Sequence, residues 1–179
     1  MFYDLEKIAS VGPLFNILES CRRVKQDVKH HPEGDVFTHS VQALMLAMRE
    51  TTDIDLIFAA MLHDVGKKVE SHGHEKFSVE ILQGLISDKT AWLIENHMRF
   101  WTFVLGDMKK LSKVTLLTEN PWFSDLALLC RWDKMARNPN SVIDYDRIVI
   151  IERLKTYQQN QKPHIEPHTN EKGVTENDL

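Results

Sequence analysis

The sequence predicts an all-α fold, a single-domain helical bundle, and three observations support this prediction. Apolar residues near the start recur with the i, i+3, i+4, i+7 spacing of one helix face: Leu14, Ile17, Leu18, Cys21 and Val24. The segments 41–48 and 54–65 are almost wholly apolar, which predicts central helices buried on all sides. The length of 179 residues suits one domain with one core.

The first predicted helices are separated by breaks. Pro13 fits the first turn of the opening helix, where the missing N–H is not needed. The segment KHHPEGD at 29–35 contains a proline and a glycine that prevent a helix from continuing. The second apolar helix is predicted to end at Gly66 as a C-terminal cap, with Lys67 and Lys68 beside the negative end of its dipole.

Helical patterns continue through the second half of the chain. One amphipathic helix is expected to carry Phe77, Ile81, Leu82 and Leu85. Residues 92–97 predict a short helix, and 100–118 predict one or two short helices around a bend at Gly106-Asp107. Pro121 begins another helix. The tryptophans with apolar helical neighbours are interpreted as core residues, not as base-stacking platforms: Trp92, Trp101 and Trp122.

The composition changes towards the end of the chain. The run IVII within 143–157 would suit a strand, but the charged residues that flank it favour a helix. Residues 158–179 are polar and have little to bury, which predicts a disordered tail. The predicted organisation is therefore one folded domain at 1–157 followed by a tail at 158–179.

Composition and charge exclude several classes of protein. The formal net charge of −4 implies no general attraction to nucleic acid. Cys21 and Cys130 are the only cysteines, so a reducing intracellular compartment is the simpler interpretation. The start of the chain lacks a signal-peptide pattern, and no stretch reaches the roughly twenty apolar residues that span a bilayer. We therefore expect a cytoplasmic protein without a membrane partner, and its oligomeric state is left open.

An acidic residue lies where the pattern demands an apolar one. Leu126, Leu129 and Cys130 mark one face of the helix that follows Pro121, and Asp133 falls on the same face. A carboxylate that points into a core costs several kcal/mol unless a paired group or a metal ion receives it. Asp133 is therefore a candidate metal ligand.

The same anomaly recurs at other positions on apolar helix faces: His39, the adjacent His63 and Asp64, His74 and His97. A single histidine of this kind is more often a core residue hydrogen-bonded to the backbone than a ligand. A shared metal centre explains all six residues at once. Imidazole and carboxylate together suit Mn²⁺, Fe²⁺, Co²⁺, Ni²⁺ or Zn²⁺, and carboxylate-rich sites also take Mg²⁺.

The order His39, His63-Asp64, Asp133 resembles the defining pattern of the HD superfamily of metal-dependent phosphohydrolases. The similarity covers residues 31–137 and is greatest to the HD domain of bacterial CCA-adding tRNA nucleotidyltransferases, although we expect no nucleotidyltransferase head in this chain. The segments that carry it are HPEGDVFTHS, MLHDVGK, HGHEKFSVE, ENHMRF and RWDKMAR. The resemblance implies an HD-type helical bundle around a central metal site, with residues 1–157 forming the HD phosphohydrolase domain.

The resemblance also implies a ligand set for one or two divalent metal ions per chain. In the family pattern, one metal is held by His39, His63, Asp64 and Asp133. His74 and His97 match the positions that supply a second metal in dinuclear HD proteins, with Asp64 bridging the two ions. The metal is one of Mn, Mg, Co, Ni, Fe or Zn, and the sequence does not select among them.

The implied activity is cleavage of a phosphomonoester or phosphodiester by metal-activated water. The expected substrate is a phosphorylated small molecule, a nucleotide in the first place, with a nucleic-acid end or a 2′,3′-cyclic phosphate as alternatives. We assign catalytic roles to Asp64, which would hold the ions, and to Lys67, which would neutralise a phosphate oxygen. Arg99 and Arg137 are further candidates for binding substrate phosphate, although Arg137 follows Asp133 by four residues and can simply pair with it.

Two other functions share these features. Dinuclear iron oxygenases of the HD fold, such as myo-inositol oxygenase, have the same order of ligands. A non-catalytic module that holds a nucleotide is a third hypothesis, although modules of that kind commonly lose metal ligands and none of the six is missing here. The closer similarity across the segments at 31–40 and 72–80 favours the hydrolase.

Overall fold

The computed structural model describes residues 11–140 and 145–161, and eight α-helices lie within these ranges. They are α1 (Val11–Glu19), α2 (Val36–Glu50), α3 (Ile54–Leu62), α4 (His74–Ile81), α5 (Asp88–Val104), α6 (Leu111–Thr118), α7 (Phe123–Met135) and α8 (Arg147–Asn160). The extended pairing in the described ranges is limited to one isolated bridge between Lys25 and Asp35. The predicted all-α fold is confirmed. No helix in the described part of the chain is both long enough and apolar enough to cross a bilayer.

Helix α3 lies at the centre of the molecule. It packs against α2, α5 and α7, and more weakly against α8. Every residue of α3 except Asp55 is buried, as the almost wholly apolar run predicts. Removing a side chain such as Phe58 from water contributes roughly 1.5–3 kcal/mol. The burial of α3 therefore supplies much of the driving force that brings the surrounding helices together.

Acidic caps determine where the two central helices begin. The side chain of Asp35 accepts a hydrogen bond from the Thr38 amide at 2.9 Å and starts α2. Asp53 accepts from the amides of Asp55 and Leu56 and starts α3. Each cap of this type contributes about 1 kcal/mol by satisfying amides that have no partner inside the helix. Asp35 thereby fixes the start of the helix that carries His39.

The end of α3 differs from the prediction. The helix stops at Leu62, and Val65–Lys68 form a short 3-10 helix. Gly66 is not a helix cap with positive φ, because it belongs to the 3-10 helix and packs directly on α4. A β-carbon at Gly66 would collide with the carbonyl oxygen of His74 and the amide nitrogen of Ser78. The glycine is therefore needed for close packing, and His63 and Asp64 lie in the turn after α3.

Other helix boundaries also differ from the prediction. Helix α5 is a single helix of 17 residues that joins the predicted short helix at 92–97 to the start of the next predicted segment. The predicted bend is present at Gly106, whose φ is +73°. Helix α8 continues to Asn160, past the predicted limit at residue 157. The greater part of the predicted tail, residues 162–179, lies outside the described residues.

Candidate metal centre

The structure brings together the six residues that the sequence nominated as metal ligands. His39 lies in α2, and the adjacent His63 and Asp64 lie in the turn after α3. His74 is the first residue of α4, His97 lies in α5 and Asp133 lies in α7. Each of them is at most 4% exposed: His39, His63, Asp64, His74, His97 and Asp133. Five separate segments thus direct nitrogen and oxygen ligand atoms to one buried point.

Asp64 lies between two pairs of histidines. Its Oδ2 is 3.7 Å from His39 Nε2 and 3.6 Å from His63 Nε2. Its Oδ1 is 2.9 Å from His74 Nε2 and 3.9 Å from His97 Nε2. Asp64 thus belongs to two groups of three potential ligands, one with His39 and His63 and one with His74 and His97. The ligand atoms of each group lie within 4.8 Å of one another, so each group could hold a metal ion.

Hydrogen bonds at the outer ring nitrogens orient three of the histidines. Each Nδ1 contacts the carbonyl oxygen three residues earlier, at 3.1 Å for His63, 2.9 Å for His74 and 2.6 Å for His97. Because a carbonyl only accepts, these Nδ1 atoms carry the proton and the Nε2 lone pairs point into the centre. This is the tautomer that a metal ligand requires.

The inner ring nitrogens of the histidines lie close to other acceptor atoms. Nε2 of His39 and of His63 is buried without a hydrogen-bond partner among the described residues. Nε2 of His39 faces Asp133 Oδ1 at 3.1 Å, and the Nε2 atoms of His74 and His97 face each other at 3.1 Å. Acceptor atoms at such distances repel unless a proton or a cation lies between them. The donor set therefore fits one or two divalent cations.

The pKa values of the buried groups follow from this crowding. Burial disfavours the cationic form of His39, but Asp133 and Glu33 outweigh it and raise the pKa to about 9. Burial lowers the pKa of His97 to about 4, assisted by the neighbouring His63. Burial opposes ionisation of Asp64, yet the charges of its neighbours hold its pKa well below the usual range. Protons and metal ions would therefore compete for the same atoms of this centre.

Lys67 lies on the outer side of Asp64. Its Nζ donates to Asp64 Oδ2 at 2.6 Å and to Gln26 Oε1 at 2.6 Å, and is 3.4 Å from His31 Nε2. An ammonium group has three N–H donors, and each of them has an acceptor here. A substrate phosphate would have to displace Gln26 or His31 to reach Lys67.

A cavity of about 500 Å³ opens the centre to solvent. Its wall includes four of the six residues, Asp64, His74, His97 and Asp133, together with cationic and apolar side chains. The cationic groups are Lys67, Lys134 and Arg137, and the apolar ones are Met98, Trp101 and Leu105. The guanidinium of Arg137 lies 3.2 Å from Asp133 Oδ1. The cavity thus combines a metal-binding floor with positive charge and an apolar side.

Trp101 lies at the cavity, a position that the sequence interpretation did not include. It packs partly against the core, but it also lines the cavity, and its indole Nε1 is 3.4 Å from Asp133 Oδ2. The signal was available, because Trp101 follows His97 by four residues and therefore shares its helix face. Glu33 contacts His39 and lies in the loop before α2, where no periodicity predicts the direction of a side chain.

Arg99 does not face the metal centre. It lies two residues after His97, about 200° around α5, and lines a second cavity on another side of that helix. Its guanidinium donates to Asn96 Oδ1 at 3.2 Å. Of the two arginines predicted to bind substrate phosphate, Arg137 lines the cavity over the six residues and Arg99 lines the second cavity.

Comparison with known proteins identifies relatives of this chain. The family described as HD domain matches residues 36–138, a segment that contains all six candidate ligands. The Multifunctional CCA protein of Haemophilus influenzae is 30% identical over 179 residues, covering 86% of this chain and 43% of that protein. The one from Pasteurella multocida is 34% identical over 169 residues, covering 80% of this chain and 40% of that protein. The chain spans less than half of the length of these relatives.

Proposed function

This chain belongs to the HD domain family, and from this premise we propose that it is a metal-dependent phosphohydrolase that cleaves a phosphomonoester or phosphodiester of a nucleotide or nucleic-acid end. The observation that carries the proposal is the position of Asp64 between two histidine pairs, at the floor of a cavity that cationic side chains line. Phosphate esters are anionic, so this combination of metal ligands and positive charge suits them.

The six buried residues would hold one or two divalent cations, with Asp64 shared between them. When bound, such a cation lowers the pKa of water and polarises a phosphoryl oxygen. Mn²⁺, Mg²⁺, Co²⁺, Ni²⁺, Fe²⁺ and Zn²⁺ all remain candidates, because histidine and carboxylate ligands accept each of them in some protein.

The cavity wall supports a nucleotide as the substrate class. Lys134 and Arg137 bring positive charge to the cavity and would orient a phosphate towards Asp64. Trp101, with Met98 and Leu105, forms an apolar side against which a planar base can stack. Lys67 would act mainly by holding Asp64, since its three donors are already engaged.

Turnover by metal-stripped protein refilled with single metals tests the proposal. The panel comprises dNTPs, nucleoside monophosphates and 2′,3′-cyclic nucleotides, each with Mg²⁺, Mn²⁺, Co²⁺, Ni²⁺ or Fe²⁺. We expect hydrolysis that requires metal, vanishes in Asp64→Ala, and persists in Asp88→Ala, a matched loss of an exposed aspartate at the start of α5.

Other outcomes would point to the two alternatives. The same ligands suit a dinuclear iron oxygenase, so retention of two iron ions without hydrolysis of any ester would favour that chemistry. Tight nucleotide binding without turnover under any metal would favour a non-catalytic binding module. Either result would contradict the phosphohydrolase proposal.

A further inference from the structure

The carboxylate of Glu33 lies behind the metal centre. The side chain is fully buried, and its Oε1 is 2.7 Å from His39 Nδ1 and 2.9 Å from His31 Nδ1. One carboxylate oxygen therefore contacts the outer nitrogens of two histidines. The imidazole of His39 directs its other nitrogen into the centre, and His31 lines the cavity.

His39 is held differently from the other three histidines of the centre. His63, His74 and His97 each use a backbone carbonyl, which no substitution of a side chain removes. At His39 the oxygen that faces Nδ1 belongs to a side chain instead, Glu33 Oε1 at 2.7 Å. The orientation of one histidine in the centre thus depends on a side chain supplied by the loop before α2.

A second path joins Glu33 to the opposite side of the same centre. His31 Nε2 lies 3.4 Å from Lys67 Nζ, and Lys67 Nζ donates to Asp64 Oδ2 at 2.6 Å. This Asp64 oxygen is the one that faces His39 and His63. The contacts from Glu33 therefore end on His39 and on the Oδ2 atom of the shared Asp64, whereas the Oδ1 atom of Asp64 faces His74 and His97.

We propose that Glu33 is a positioning residue for one half of the metal centre. It holds His39 with its Nε2 lone pair directed inward, and through His31 and Lys67 it supports the Asp64 oxygen beside it. This inference rests on the proposed function in one respect, because it requires that the centre binds metal. Removal of such an outer partner typically weakens metal binding by roughly 10- to 100-fold.

Binding of Co²⁺ measures the two halves separately. The variant His97→Ala keeps the half that contains His39, His63 and Asp64. The variant His63→Ala keeps the half that contains Asp64, His74 and His97. Adding Glu33→Ala to each background should weaken Co²⁺ binding by roughly 10- to 100-fold in the first. The loss should be much smaller in the second, where Glu33 acts only indirectly, through the Oδ2 atom of Asp64. Calorimetry gives the affinity, and the visible absorption of Co²⁺ should change mainly in the first background.

Two further variants control for folding and for charge. Glu33→Gln keeps the size and one acceptor oxygen, so it should fold and lose less affinity than Glu33→Ala, with melting temperatures reported for both. Glu75→Ala is the matched control, because its Oε2 is 4.0 Å from His74 Nδ1 and that nitrogen already contacts the Ser71 carbonyl. We expect Glu75→Ala to bind Co²⁺ as the wild type does.

The outcomes separate this inference from the proposed function. Equal weakening of both halves, or of neither, would overturn the role of Glu33 while leaving the metal centre intact. Normal Co²⁺ affinities without turnover of any phosphoester would contradict the phosphohydrolase and leave the role of Glu33 standing. A wild-type protein that binds no Co²⁺ would refute both.

Discussion

Lys67 and Asp64 form a buried ion pair, with 2.6 Å between Nζ and Oδ2, at the turn that follows helix α3. The aspartate side chain is 2% exposed and the lysine side chain 12%, so solvent screens the pair weakly. The turn places the carboxylate of Asp64 between the histidines, and the ammonium of Lys67 lies outside the metal centre. Lys67 can therefore act in one of two ways, by supporting the metal ligand Asp64 or by contacting the substrate directly.

Replacement of Lys67 distinguishes these roles. With Lys67→Met, Asp64 loses its partner, and we expect the affinity for metal to fall roughly tenfold while KM at saturating metal changes little. Lys68→Met removes a neighbouring, exposed lysine and should change neither quantity. A large rise in KM with unaltered metal affinity would show that Lys67 acts on the substrate instead.

The cavity side formed by Trp101 predicts a preference for substrates that carry a base. Loss of base–aromatic stacking costs about 1–3 kcal/mol, so Trp101→Ala should raise KM for a nucleotide by roughly 5- to 150-fold. Hydrolysis of a small phosphoester without a base should be nearly unaffected, and Trp101→Phe should recover part of the loss. Equal effects on both substrates would contradict a stacking role.

Arg137 and Arg99 form a matched pair for testing phosphate recognition. Arg137 lines the cavity and Arg99 lies on another side of α5. Hydrogen bonds to charged groups contribute about 1.5–3 kcal/mol, so Arg137→Ala should lower kcat/KM by roughly 10- to 100-fold. Arg99→Ala should leave kcat/KM within about twofold of the wild type. A comparable loss in Arg99→Ala would place the substrate elsewhere.

Gly66 and Gly12 should respond in opposite directions to the same substitution. A methyl group at Gly66 meets the backbone of α4, so Gly66→Ala should lower the free energy of unfolding by about 1–3 kcal/mol. Among the described residues, apart from its chain neighbours and its own helix backbone, no heavy atom lies within 4 Å of the position that a β-carbon on Gly12 would take. We therefore expect Gly12→Ala to raise the free energy of unfolding by up to about 1 kcal/mol. Denaturant unfolding of both variants measures the difference.

Lys89 joins three segments through a pair of aspartates. Its Nζ is 2.6 Å from Asp53 at the start of α3 and 2.6 Å from Asp125 in α7. Burial disfavours the ammonium, but the two carboxylates outweigh it and raise the pKa of Lys89 above 10.5. The stabilisation is therefore complete below pH 10.5 and is lost as pH rises through the higher folded-state pKa.

Lys89→Met tests this pH dependence. We expect a loss of about 1–2 kcal/mol at pH 7, limited by the partial exposure of the aspartates. In unfolding curves measured from pH 7 to 12, the free energies of unfolding of the wild type and of Lys89→Met should converge only at the alkaline end. A constant difference over the whole range would mean that the ammonium charge is not the source of the stabilisation.

Local patterns were enough to predict the helices and the ligand candidates. Helical periodicity reports which side chains share a face, so a polar residue such as Asp133 stands out on an apolar face without knowledge of its partners. The same reasoning identified His39 and the central helix α3. It failed at the end of α3, because Gly66 is selected by contact with α4 and not by a local capping conformation.

The sequence by itself determined that the chain is helical and that six buried acidic and histidine side chains need a common explanation. Only the tertiary structure decided how they are arranged, with Asp64 between two histidine pairs, Glu33 behind His39, and Trp101 beside the cavity. The physical reason is the distance along the chain over which each kind of interaction acts. Periodicity and capping act over a few residues, whereas these relationships join segments that meet only when the helices pack around α3.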